Sequence, residues 1–148
     1  MTPMANETPE ILLVEDSLDD VAFFVRTLDK AGLGVRLHTV HDGAEALDFI
    51  FGADHNAAQL HALRLKVIIL DLKLPKVSGL EVLRRIKADP KTRKIPVVIL
   101  SSSQEERDLI ESYQLGVNSY VVKPMDFDAF GASLTTLCQY WLQFNQTA

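Results

Sequence analysis

The sequence predicts an α/β fold, a three-layer α/β/α sandwich on a doubly wound, five-stranded parallel sheet in the flavodoxin-like order 2-1-3-4-5. Three observations predict it. Short apolar, β-branched runs bounded by turn residues recur along the chain, as strands buried on both faces do. Between them lie stretches with apolar residues at helical spacing, and strand, helix, strand crossovers of one hand cover both faces of a parallel sheet. Four of the runs also end in residues capable of chemistry: Ile11 to Val14 leads into Glu15 and Asp16, Val67 to Leu70 into Asp71, Val97 to Leu100 into Ser101, and Tyr120 to Val122 into Lys123 and Pro124. Ligands of open α/β sheets sit beyond the carboxyl ends of the strands, so these side chains are expected to converge.

The first strand spans about residues 10–15. Ser17 is placed to cap the following helix, Val21, Phe24, Val25 and Leu28 form its buried stripe, and Gly32 ends it. The second strand runs from Val35 to Val40, and Asp42 with Glu45 opens helix 2 as a capping box, with Ala46, Leu47 and Ile50 turned inward. The third strand ends at Asp71. Pro75 and Gly79 then break the chain, and Ser78 with Glu81 caps helix 3, whose Leu80, Leu83 and Ile86 face the core. Pro96 starts the fourth strand, Ser103 and Glu106 have capping-box spacing for helix 4, and Gly116 stops that helix. Helix 5 begins near Asp126 and carries Phe127, Phe130, Leu134, Leu137, Trp141 and Phe144 at spacings of three or four. That stripe outruns the core it must cover, which suggests a partner surface.

The chain has 148 residues and is expected to form one domain over residues 10–144, preceded by a flexible tail at 1–9, with an extended C-terminal helix and no output domain. A net charge of -5 disfavours non-specific binding to nucleic acid or anionic membranes and leaves proteins as the expected partners. The opening MTPMANETP lacks the basic start and apolar stretch of a signal peptide, no run is long enough to span a membrane, and the lone Cys138 suits a reducing compartment. A cytoplasmic location is expected.

The segments ILLVEDS (11–17), DLKLPKVSG (71–79), VVILSS (97–102) and YVVKP (120–124), in this order and spacing, resemble the receiver domain of bacterial two-component response regulators. The resemblance covers about residues 10–138. It implies a CheY-like fold and an aspartyl phosphate formed on Asp71, with a metal-binding acidic pair at Glu15 and Asp16, a switch hydroxyl at Ser101, an aromatic switch at Tyr120 and an essential lysine at Lys123. It also implies that the backbone carbonyl of Lys73 is a metal ligand and that the bond into Pro124 is cis. The long segment after helix 2, about residues 52–65, and a tail like QYWLQFN resemble more narrowly the single-domain regulators paired with cyanobacterial phytochrome histidine kinases. From this come the expected partners: a sensor histidine kinase of bacterial phytochrome type, a second copy of the chain with Phe127, Trp141 and Phe144 at the interface, and a downstream protein. The only enzymatic behaviour implied is magnesium-dependent self-phosphorylation and slow self-dephosphorylation.

The residue types carry the chemistry. Ionised carboxylates 4 Å apart repel by about 4 kcal/mol per pair at an effective dielectric near 20, and a divalent cation removes that repulsion. All the side-chain ligands are hard oxygens, so magnesium is the expected ion. Asp71 is then the nucleophile and Lys123 neutralises charge on the phosphoryl oxygens. Ser101 is expected to swing toward those oxygens while Tyr120 turns inward, which alters the face formed by helix 4, strand 5 and helix 5.

Other residues invite plainer explanations. His38, His41, His55 and His61 lack metal-ligand spacing and suit surface or turn positions, and the six basic residues between Arg84 and Lys94 suit a solvated face. A haloacid-dehalogenase-like phosphatase would need a second acid where this chain has Lys73, and a flavodoxin-type FMN carrier would meet repulsion from Glu15 and Asp16. A phosphorylation-independent adaptor of the same fold is the remaining alternative.

Overall fold

The computed structural model describes residues 8–52 and 64–147. The predicted tail, through residue 7, and most of the predicted 52–65 insertion lie outside the described residues. Strands β1 (Glu10–Val14), β2 (Arg36–Val40), β3 (Leu65–Leu70), β4 (Val97–Ser101) and β5 (Ser119–Val122) form one parallel sheet in the order β2-β1-β3-β4-β5. The helices are α1 (Leu18–Ala31), α2 (Gly43–Ile50), α3 (Gly79–Ala88), α4 (Glu106–Gln114) and α5 (Phe127–Gln139). None of the described helices is long and apolar enough to cross a membrane.

Period-two alternation splits the strand residues between two cores. Leu12, Val14, Ile68, Leu70, Val97 and Ile99 pack with Ala46, Ile50, Val82, Leu83 and Ile86 of α2 and α3. Ile11, Leu13, Val67, Ile69, Val98 and Leu100 pack on the other face with Phe24 and Leu28 of α1 and Phe130, Leu134 and Leu137 of α5. Side-chain caps from Ser17, Asp42, Ser78 and Asp126 start α1, α2, α3 and α5, each accepting from the backbone N–H three residues on. Gly32 closes α1 in the left-handed conformation, φ 68°.

Several expectations change. Val25 is 39% exposed, because the buried stripe of α1 runs through Phe24 and Leu28 and Val25 lies off to one side of it. On α3, Val82 is buried while Leu80 is only half-buried. Ser103 does not cap α4: Glu105 holds that position without a side-chain bond, and the Ser103 hydroxyl is engaged elsewhere. No described peptide bond is cis, so Lys123–Pro124 takes the trans form that X–Pro bonds favour by about 0.5–1 kcal/mol. The basic cluster is not uniformly solvated, since the half-buried Lys87 ammonium donates to the carbonyls of Arg93 and Ile95 and to Asn118 Oδ1 at 2.9–3.0 Å.

The extended helix is altered too. α5 stops at Gln139 and passes into a π-helical turn, Tyr140–Phe144, closed by Asn145 N–H donating to Tyr140 O at 2.7 Å. The extra residue in the turn shifts the side chains around the axis. Of the three dimer-interface candidates, Trp141 packs partly against the α1 and α5 core, whereas Phe127 at the start of α5 and Phe144 at the end of the π turn are 73% and 69% exposed.

Candidate functional site

The sheet register brings the strand ends together. Val14 stands level with Val40 on one side and Leu70 on the other, and Ser101 stands level with Val122. Hydrogen bonds carry the alignment one residue past the strands: Glu15 N–H donates to Val40 O, Asp71 N–H to Val14 O and Lys123 N–H to Ser101 O, at 2.8–3.1 Å. A residue that leaves its strand in this way keeps its side chain at the sheet edge.

Glu15, Asp16 and Asp71 each present a carboxylate oxygen, all within 4.8 Å of one another. Lys123 enters from β5, donating to Glu15 Oε1 at 2.5 Å, Asp20 Oδ2 at 2.9 Å and Asp71 Oδ2 at 3.4 Å. The side chains of Lys123 and Asp71 are each only 12% exposed and that of Glu15 5%, whereas Asp16 faces solvent. Burial pushes the Glu15 carboxyl up to about 7, although its bonds to Lys123 and to the Ser17 N–H work the other way. Burial disfavours the Lys123 charge, but hydrogen bonds to Glu15 and Asp20 and the charge of Asp71 outweigh it, so its pKa is raised and it stays an ammonium.

Lys73 is exposed, and its N–H reaches Asp71 Oδ1 at 3.4 Å. Ser101 is fully buried, with its Oγ accepting from Ser103 N–H at 3.2 Å. The Tyr120 hydroxyl donates to Ser103 O at 3.0 Å, and burial raises its pKa, keeping it a phenol. Ser103 Oγ in turn donates to Asp108 Oδ2 at 2.6 Å, so one residue ties β4, β5 and α4 together.

Two participants were not foreseen. Asp20 lies in the first turn of α1, where its N–H meets the Ser17 cap and its carboxylate reaches back to Lys123. The signal was the acidic Asp19–Asp20 pair in the N-terminal turn, which helix-dipole reasoning alone explains equally well. His41, expected to be an ordinary turn residue, places Nδ1 3.2 Å from Glu15 O.

Chemically, the cluster is a pocket of hard oxygen donors around one fixed ammonium. The donors suit a divalent cation. Residues 11–135 match the family described as the response regulator receiver domain. The probable methanogenesis regulatory protein FilR2 of Methanothrix harundinacea is 36% identical over 93% of this chain and 86% of its own length. Response regulator Rcp1 of Synechocystis is 34% identical over 97% and 95%, and the structure of its Mn(2+)-bound form superposes with a TM-score of 0.85. The phosphorylated cyanobacterial phytochrome response regulator RcpA also gives 0.85, at 34% identity over 95% of this chain and 98% of that one.

Proposed function

Because this chain belongs to the response regulator receiver domain family, whose members take phosphoryl groups from histidine kinases, we propose that Asp71 is its phosphoacceptor and that a phytochrome-type kinase is the donor. The observation that carries this is the Lys123 ammonium shared among Glu15, Asp20 and Asp71 at the carboxyl edge of the sheet. A carboxylate oxygen of Asp71 attacks the phosphorus of the kinase phosphohistidine in line. The P–N bond breaks, the imidazole leaves, and the product is an acyl phosphate. Lys123 stabilises the equatorial oxygens as charge develops on them.

Glu15, Asp16, Asp71 and the backbone carbonyl of Lys73 are the groups that would hold a magnesium ion, which when bound offsets the phosphoryl charge. The Mn(2+)-bound state of Rcp1 supports this for a relative. Ser101 lies beside the site and turns its hydroxyl to the new anion, and Ser103, bonded to both Ser101 and Tyr120, passes the displacement to α4. The same residues would support magnesium-dependent self-phosphorylation and slow self-dephosphorylation in a cytoplasmic regulator with a downstream protein partner. A homodimer would use the exposed Phe127 and Phe144 on α5 and its π turn, with Trp141 half-covered beside them.

The test is phosphotransfer. Asp71→Ala is expected to abolish magnesium-dependent labelling by a phosphorylated phytochrome-type kinase, and Lys123→Ala to slow it by about tenfold or more, as loss of a charge-stabilising donor does. Labelling retained on another residue of Asp71→Ala would reject the assignment. Partner binding that ignores phosphorylation would favour an adaptor instead.

A further inference from the structure

The turn between β2 and α2 touches both chain segments that supply the carboxylates. On one side, His41 Nδ1 lies 3.2 Å from Glu15 O, and Val40 O accepts from Glu15 N–H. On the other, Gly43 N–H donates to Pro75 O at 3.4 Å and Asp42 Oδ2 faces Lys76 Nζ at 3.5 Å, both in the loop that follows Asp71. The approach at Gly43 is extreme, since a Cβ there would lie 2.0 Å from Val77 O and 2.7 Å from Val77 C. These are main-chain atoms, so no rotamer change relieves the overlap.

The turn itself is braced. Asp42 Oδ1 accepts from Glu45 N–H and Glu45 Oε2 from His41 N–H, both at 2.8 Å. In the facing loop, Lys76 has a φ of 67°, a left-handed conformation costly for a residue other than glycine, which persists only where its surroundings hold it. The same loop carries Lys73, whose N–H reaches Asp71 Oδ1, and it is pinned at its far end by Gly79 N–H donating to Leu72 O at 2.9 Å.

We propose that the β2–α2 turn, through the bare Gly43 backbone, is a positioning element for the cation site, holding the loop of residues 72–78 so that Lys73 and Asp71 meet Glu15 in a preformed arrangement. The proposal rests on the cation reading given above. Supporting groups of this kind change metal affinity by about 10–100-fold when lost. Gly34, which has nothing within 4 Å of a built Cβ, is the internal control.

The experiment measures free Mn2+ by electron paramagnetic resonance during titration of the full chain. Wild type and Gly34→Ala are expected to bind equally. Gly43→Ala, while still unfolding cooperatively, is expected to bind about tenfold or more weakly. Equal binding by a folded Gly43→Ala chain would overturn the positioning role alone, whereas a wild type that binds no Mn2+ would overturn the cation reading beneath it. If Gly43→Ala does not fold, amide exchange on the wild type decides, because linkage makes the coupling reciprocal. Saturating Mg2+ should then slow exchange at Gly43 and Val77 but not at Leu134 in the middle of α5. Unchanged rates at Gly43 and Val77 would overturn the proposal.

Discussion

A carboxyl group that keeps its proton to about pH 7 is the sharpest feature at the residue scale, and its cause is burial of Glu15 beside Asp71. The folded pKa lies above the unfolded one, so this group's contribution to stability is complete below about pH 4.5 and is lost as pH rises through about 7. A cation at the cluster favours the deprotonated form. Apparent Mg2+ affinity, measured as the rise in Tm at fixed magnesium, should therefore be about tenfold higher near pH 8 than near pH 6. A pH-independent rise would show that Glu15 is not part of the cation's surroundings. Glu15, Asp71 and Lys123 were legible in the sequence because each directly follows a strand, which fixes where it emerges. Asp20 was not, because reaching Lys123 depends on how α1 lies across the sheet edge.

At the scale of elements, the caps and strands were readable because they are local: Ser17, Asp42, Ser78 and Asp126 bond only three residues ahead. Ser103 has the same spacing pattern, yet Tyr120 from β5 and Asp108 from α4 engage it instead. Lys87 departs from expectation for a similar reason, since its three acceptors come from the exit of α3 and the start of β5. Lys87→Met should leave those acceptors without a charged donor and cost about 1–3 kcal/mol. Urea unfolding would register this as a lower midpoint with an unchanged slope. No change in midpoint would place Lys87 back among solvated surface residues.

For the whole molecule, apolar side chains remain uncovered on the α5 side at Phe127 and Phe144 and on α4 at Leu109, Ile110 and Tyr113. Sedimentation at micromolar concentration should give a dimeric mass, and Phe127→Ser with Phe144→Ser should shift it to the monomer. A monomeric wild type, with and without phosphorylation, would count against self-association. The apolar runs and the helical stretches between them determined the fold class and most of both cores, because period and chirality are properties of the chain itself, and the order 2-1-3-4-5 chosen from them is the one observed. They also put Glu15, Asp71, Ser101 and Lys123 at the carboxyl edge. Only the tertiary structure decided how those residues divide one ammonium among three carboxylates, which way Lys87 and Ser103 turn, and where the π turn interrupts the α5 stripe. Each of these depends on contacts between segments far apart in the sequence, whose relative placement is fixed when the layers pack.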